Sequence, residues 1–126
     1  MKAAFVYTGI RVKDLEKSIG FYTRVLGMSV IDRQKIKEAD GEVVSMTSSP
    51  GGPQLELNFY REGSSFDAPY AVGEGLDHLA FYVGDIDAAV EECTRAGYPV
   101  VQEIRTEKRR WVYIRDPDGI YIELMS

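Results

Sequence analysis

The sequence predicts an α+β fold built from two tandem βαβββ modules that form a curved sheet around a cavity. An internal repeat is the first observation behind this prediction, because Val-Lys-Asp-Leu at residues 12–15 recurs as Val-Gly-Asp-Ile at residues 83–86. The second observation is a repeated turn, with Ser-Pro-Gly-Gly at residues 49–52 and Asp-Pro-Asp-Gly at residues 116–119. Both copies follow the order strand, helix, three strands, so one architecture is predicted twice.

The first module begins with alternating β-forming residues at 5–12, which predict a strand. Asp14 is a suitable N-cap for the helix that follows, whose apolar residues recur at helical spacing, and Gly27 closes that helix as the residue after its C-cap. Turn-forming Gly, Pro and Asp residues separate the next three predicted strands. These strands lie at about residues 28–36, 41–48 and 53–60.

The second module repeats this order. Residues 78–83 predict a strand, Asp85 caps a helix, and Gly97 ends it. Three further strands are predicted at about residues 99–105, 109–115 and 120–125.

The repeat predicts a single domain over residues 1–126, with module 1 at about 1–62 and module 2 at about 76–126. A long irregular stretch at about residues 61–75 lies between the modules. Loops of this length are usually functional or flexible linkers. We therefore hypothesise that this loop covers the cavity, with Phe66 and Tyr70 as its apolar contacts.

Composition excludes several classes of function. The net charge of −5 and the isoelectric point near 4.9 do not suit a protein that binds nucleic-acid phosphates. Neither a long apolar stretch nor a signal-peptide pattern is visible, which predicts a cytoplasmic protein without a membrane partner. The single cysteine, Cys93, has no second cysteine to pair with and is expected to be a small core residue.

Strand alternation assigns side chains to two sheet faces. The apolar positions are expected to face the helices; they are Ile10, Val12, Leu55, Leu57, Leu79, Phe81, Val112, Ile114, Ile122 and Leu124. The opposite positions form what we call the polar face: Tyr7, Gly9, Arg11, Gln54, Glu56, Asn58, His78, Ala80, Tyr82, Trp111, Tyr113, Tyr121 and Glu123. A face that combines aromatic and ionisable residues in this way predicts a lined cavity for a small molecule.

Three residues of the polar face are candidate metal ligands. The repeat places His78 at a position equivalent to Tyr7, and Glu56 at a position equivalent to Glu123. Each residue alone would more often be a structural histidine or an exposed strand carboxylate. Because all three occupy equivalent positions of the repeat, a metal site is favoured. Imidazole with carboxylates suits Zn, Ni, Co, Mn or Fe(II).

Three motifs together resemble a known family over nearly the full length. They are Ile-Arg-Val-Lys-Asp-Leu-Glu-Lys-Ser-Ile at residues 10–19, with Phe-Tyr and Leu-Gly-Met at 21–22 and 26–28; Asp-His-Leu-Ala-Phe at 77–81; and Asp-Pro-Asp-Gly with Ile-Glu-Leu at 116–119 and 122–124. The chain resembles the vicinal-oxygen-chelate superfamily, the glyoxalase, bleomycin-resistance and extradiol-dioxygenase group. Its N-terminal block is most similar to bacterial glyoxalase I, the lactoylglutathione lyase.

This resemblance implies a homodimeric enzyme with sites between modules. The implied metal ligands are Glu56, His78 and Glu123, with Tyr7 at the fourth position, where the family usually has His or Gln. Because a neutral phenol is a poor ligand, three readings stay open: a metal with three protein ligands, coordination by a Tyr7 phenolate, or loss of the metal. Zn, Ni, Co or Mn would be the cofactor.

The resemblance also implies the roles of several further residues. Glu123 would move a proton between adjacent carbons of a vicinal-oxygen substrate such as a hemithioacetal. Arg11 would bind a substrate carboxylate. Tyr60 stands where glyoxalase I has an asparagine, with Asn58 nearby, so glutathione and other thiol co-substrates both stay open. Trp111 and Tyr113 are the predicted ligand wall.

Two other functions of the same superfamily make different demands. A dioxygenase needs two histidines and one glutamate, and the chain has one histidine. A metal-free, bleomycin-resistance-like binding protein would use the aromatic residues to sequester a planar molecule. Such a protein does not need Glu56, His78 and Glu123 together, which favours the enzyme.

Overall fold

The computed structural model describes residues 1–126 except residues 3, 5, 75 and 77. Residue 5 of the predicted first strand and residue 77 of the second motif therefore lie outside the described residues. The chain divides into two compact units, residues 1–69 and 70–126. The first contains β1 (Thr8–Arg11), α1 (Leu15–Arg24), β2 (Ser29–Ile36), a 3₁₀ turn (Lys37–Ala39), β3 (Gly41–Thr47) and β4 (Gln54–Tyr60). The second contains β5 (His78–Tyr82), α2 (Ile86–Arg95), β6 (Gln102–Arg105), β7 (Arg110–Arg115) and β8 (Tyr121–Met125).

Each unit has one four-stranded mixed sheet, in the orders β1-β4-β3-β2 and β5-β8-β7-β6. The first strand of each unit runs parallel to the last, and the other pairs are antiparallel. Gly9 lies opposite Glu56 in the first sheet, and Ala80 lies opposite Glu123 in the second. The α+β fold with two βαβββ modules is thus confirmed, down to an equivalent register for the two glutamates.

The helices begin where their caps predict. The Asp14 and Asp85 carboxylates each accept a hydrogen bond at 3.0 Å, from the backbone N–H of Lys17 and Ala88 respectively. Gly97 directly follows the C-cap of α2, with φ near +91°, as expected. In α1 the C-cap is Val25, whereas the prediction placed the C-cap directly before Gly27. The helix therefore ends one residue earlier than predicted.

The predicted apolar face forms the core of each sheet. Eight of its residues are at most 6% exposed: Ile10, Val12, Leu55, Leu57, Val112, Ile114, Ile122 and Leu124. Leu79 and Phe81 on β5 are only half-buried, whereas Ile10, which stands on β1 at the place equivalent to Phe81, is buried. Cys93 is buried in α2, and this burial raises the pKa of its thiol.

Two strands, β1 and β6, are shorter than predicted by more than one residue, and each has a proline near the missing part. β1 begins at Thr8, which pairs with Leu55, and Pro53 just before β4 has no N–H with which to extend the ladder. β6 begins at Gln102 and not at Pro99, although the Val101 N–H still donates to the Tyr113 carbonyl at 2.8 Å; Pro99 itself has no N–H to donate. In the described part of the chain, no helix is long and apolar enough to cross a membrane.

Candidate active site

His78 and Glu123 meet on the polar face of the second sheet. β5 and β8 are adjacent and parallel, so His78, two residues before the partner of Glu123, projects from the same face. The His78 Nε2 atom lies 3.0 Å from Glu123 Oε2. Glu123 is 7% exposed, whereas Tyr121 and Met125, its neighbours on that face of β8, are half-buried. The sheet thus buries a carboxyl group beside an imidazole.

Tyr113 is the second partner of this carboxylate. It lies directly opposite Glu123 in the β7–β8 pair, and its hydroxyl donates a hydrogen bond of 3.0 Å to Glu123 Oε2. A buried carboxylate without partners would be costly, so the imidazole and the phenol together make this burial tolerable. Both bonds converge on Oε2 and fix the orientation of the carboxyl group.

A cavity of about 220 Å³ opens beside these residues. It is lined by His78, Gln102, Ile104, Tyr113 and Tyr121. The Tyr113 ring packs edge-to-face against His78 and Tyr121, with centroids 6.1 and 6.2 Å apart. Arg115 donates to the Tyr121 hydroxyl at 2.9 Å and lies 4.7 Å from that ring's centroid. Aromatic walls with one amide and one imidazole suit a small, partly apolar molecule.

The first sheet carries the equivalent group of polar residues around Gly9. A Cβ at Gly9 would lie 3.1 Å from Asn58 Nδ2, and 3.9 Å from both Glu56 Oε1 and Tyr7 Cε2. Glu56 is half-buried, and Tyr7, which precedes β1, is 46% exposed. The predicted pair Glu56 and Tyr7 therefore lies together, with Asn58, on the polar face of its own sheet.

Arg11 already has a carboxylate partner within the chain. Its guanidinium forms an ion pair of 2.6 Å with Asp67 Oδ1 and also donates to the Ala68 carbonyl. The Arg11 and Asp67 side chains are 26% and 27% exposed. A ligand carboxylate would therefore meet an arginine that is engaged but still accessible.

The predicted metal ligands form two separate sets. In the part of the chain that the structure describes, no three His, Cys, Asp or Glu side chains lie close enough together to hold a metal ion. His78 Nε2 and Glu123 Oε2 nonetheless fit one: with bonds of about 2.1 Å, two ligands at a right angle lie about 3 Å apart. This is the observed separation. One imidazole and one carboxylate thus lie together, and the described residues bring no third ligand to them.

Trp111 is half-buried on β7, two residues before Tyr113, and faces Ile104 and Met125 across its neighbouring strands.

Sequence reasoning missed Asp67, Gln102 and Ile104. Counting back from the 116–119 turn could have placed Tyr113 opposite Glu123. Nothing in the local sequence pointed to the partner of Arg11. That partner, Asp67, lies in a loop distant in the chain, and only the folded path of the loop brings it to Arg11.

Known proteins resemble this chain in sequence and in fold. The family model of the Glyoxalase/Bleomycin resistance protein/Dioxygenase superfamily matches residues 4–124. A lactoylglutathione lyase of Pseudomonas putida is 30% identical, over 97% of this chain and 84% of that protein. A probable lactoylglutathione lyase of Vibrio cholerae is 33% identical, over 96% and 88% respectively. A structure of the trypanothione-dependent glyoxalase I of Leishmania major has a TM-score of 0.78 and 30% identity, covering 99% of this chain and 87% of that one.

Proposed function

The chain belongs to the Glyoxalase/Bleomycin resistance protein/Dioxygenase superfamily, and we propose that it is a divalent-metal-dependent lyase or isomerase of glyoxalase I type. Its substrate would be a vicinal-oxygen compound such as a hemithioacetal. The observation that supports this most is the buried Glu123 carboxylate, held by His78 and Tyr113, two residues that line a cavity. Relatives named lactoylglutathione lyase support the same reaction class.

Glu123 would act as the proton carrier. In a hemithioacetal, it would take the proton from the carbon that bears the hydroxyl and return it to the neighbouring carbonyl carbon, while the hydroxyl proton passes to the former carbonyl oxygen, so that substrate and product are isomers. A divalent cation held by Glu56, His78 and Glu123 would supply stabilisation of the negative charge that develops on the two oxygens. Tyr113 would keep the carboxyl group aimed while the proton moves, and the aromatic wall would limit access of water.

We propose that a second copy of the chain completes the site. The ligand set is split between the two sheets, and no group of three lies together among the residues that the structure describes. In a homodimer, Glu56 and Tyr7 of one protomer would join His78 and Glu123 of its partner. Arg11, Asn58 and Trp111 would then contact the substrate, with glutathione or another thiol as co-substrate.

The decisive test is metal content together with turnover. Protein stripped and reloaded with Ni, Zn, Co or Mn would be analysed by plasma mass spectrometry beside a His78→Ala variant. We expect about one metal per chain, lost in the variant, and isomerisation of the methylglyoxal–glutathione hemithioacetal followed by thioester absorbance. Stoichiometric metal without turnover of any hemithioacetal would refute the lyase, and absence of bound metal would refute the metal site.

The second candidate function is metal-free binding of a planar aromatic molecule. The specific observation in its favour is the cavity wall formed by the Tyr113 and Tyr121 rings, which sit edge-to-face and leave surfaces for stacking. Tight binding of aromatic cations by the metal-stripped protein, unchanged in Glu56→Gln, would favour this function over the lyase.

A further inference from the structure

The segment after β4, residues 61–69, folds back onto the polar face of its own sheet. We call it the return loop. Its Phe66 ring stacks on Tyr60, with centroids 5.2 Å apart and planes at 22°. Its first residue, Arg61, donates its backbone N–H to the Asp40 carbonyl at 3.0 Å and pairs with the Asp40 carboxylate at 3.3 Å. The loop therefore has one anchor at its start and one aromatic contact in its middle.

The second anchor of the loop is the ion pair between Asp67 and Arg11. Asp67 Oδ1 lies 2.6 Å from the Arg11 guanidinium, and Asp67 Oδ2 accepts the backbone N–H of Gly63 at 2.8 Å. The loop thus presents a carboxylate, with its geometry set by an internal turn, to the one arginine on the polar face of β1. Arg11 also donates to the Ala68 carbonyl of the same loop.

Arg11 lies on the same face of the first sheet as the proposed metal ligand Glu56. It pairs with Asn58 across the sheet, while Gly9, two residues earlier on β1, pairs with Glu56. Alternate residues of a strand share a face, so the guanidinium and the Glu56 carboxylate project from the same surface. A planar guanidinium suits a planar carboxylate, and Asp67 now fills that role.

We propose that Asp67 is an internal competitor for a substrate carboxylate at Arg11, and that binding of such a substrate releases the return loop. This inference rests on the proposed function and on the role of Arg11 in binding a substrate carboxylate, and it adds the competition by Asp67. An internal competitor lowers the apparent affinity of a ligand by the fraction of chains in which the binding group is free. Partly exposed ion pairs exchange at little cost, so a ligand can displace Asp67.

The test compares two ligands that differ in charge and by one methyl group. (Phenylthio)acetate and its methyl ester would be titrated calorimetrically into the native protein and into Asp67→Asn. The amide can still accept from Gly63, so the turn is retained while the competing charge is removed. We expect Asp67→Asn to bind the acid about three- to tenfold more tightly, with no change for the ester. Arg11→Met should abolish the preference for the acid.

Asp40→Asn is the matched control. It makes the same change of charge at the other anchor of the return loop, without touching Arg11, and asparagine tolerates the left-handed backbone at residue 40, where φ is 45°. Its affinity for the acid should equal that of the native protein. Hydrogen exchange of residues 61–69 should quicken when the acid is added and not when the ester is added.

Equal affinity of the native protein and Asp67→Asn for the acid, including no detectable binding by either, would overturn the proposal. A parallel gain for acid and ester would also overturn it, because it would show a general loosening of the loop. Turnover of the methylglyoxal hemithioacetals of mercaptoacetate and of its methyl ester tests the proposed function separately. If neither hemithioacetal is turned over but Asp67→Asn still binds the acid more tightly than the native protein does, the lyase function is refuted and the role of Asp67 as a competitor is supported.

Discussion

The two units place a glutamate at the same register position and surround it differently. Glu123 lies opposite Tyr113, bonds to it and to His78, and is buried. Glu56 lies opposite Ser45, which offers only a short hydroxyl, and is half-buried. A repeated scaffold thus fixes where a carboxylate stands, whereas the residue across the strand decides its environment.

A second comparison concerns the charged side chains that join each helix to its sheet. In the first unit, Arg33 of β2 binds Glu16 in the first turn of α1 and Glu42 of β3. In the second, Arg110 of β7 binds Asp87 in the first turn of α2 and Glu103 of β6. The arginine lies on the edge strand in one unit and on the inner strand in the other. The contact is therefore kept although the charges have exchanged strands.

The largest expected effect separates the two glutamates. Glu123→Gln keeps the shape of the side chain but removes the proton carrier, so turnover of a hemithioacetal should fall by about 10²- to 10⁴-fold. Glu56→Gln removes a proposed ligand only and should cost less. The measurement is kcat for both variants at saturating metal, with melting temperature as the control for folding. An equal loss in both variants would contradict the separate role of Glu123.

Core truncation should cost the two units alike. Leu57 and Leu124 are completely buried on the helix-facing sides of their sheets. Replacing either with alanine removes buried methyl groups and leaves a cavity, at about 2–5 kcal/mol of unfolding free energy. Urea unfolding of both variants measures this. A cost below about 1 kcal/mol at either site would show that this core is not the packed one that the burial indicates.

Tyr113→Phe should have a smaller effect. It removes one hydrogen bond to a buried carboxylate, worth about 1.5–3 kcal/mol of unfolding free energy, and should lower kcat more than it changes KM. Ser45→Ala, at the equivalent place opposite Glu56, is the matched control and should change little. Tyr121→Phe tests the cavity wall without touching Glu123. Equal kcat in Tyr113→Phe and native protein would contradict the orienting role of the phenol.

The smallest effect concerns pH. Arg33 lowers the pKa of the Glu42 carboxyl, and Arg110 and then Arg105 lower that of Glu103, chiefly through side-chain hydrogen bonds. A carboxyl whose pKa is lower in the folded state stabilises the fold above its unfolded pKa and loses this contribution as pH falls through its folded pKa. Glu42→Gln and Glu103→Gln should therefore be less stable than the native protein at neutral pH, and this deficit should vanish in acid.

Both carboxyls are on the surface, so the deficits should be small and should shrink in high salt. Urea unfolding across the acidic range measures them, with Glu91→Gln on the exposed side of α2 as the control. A deficit that persists at low pH would show that the side chains contribute by packing and not by charge.

Sequence patterns predicted most of the fold because the signals were local. Asp14 and Asp85 predicted where the helices begin. The strand alternation around Glu56 and Glu123 predicted that both glutamates lie on the polar face. The pattern overextended the strands near Pro53 and Pro99, where the ladder lacks a donor. Glu56, His78 and Glu123 stay predictions as metal ligands, as do Arg11, Asn58, Trp111 and Tyr113 as substrate contacts.

The sequence by itself determined the two modules, their caps and turns, and the face on which each polar residue stands, since these follow from periodicity along the chain. Only the tertiary structure decided which residues are partners. It placed Tyr113 and His78 on the same oxygen of Glu123, and it brought Asp67 to Arg11. Such pairs join residues far apart in the chain, and their geometry depends on strand register and on the path of a loop, which local propensity does not specify.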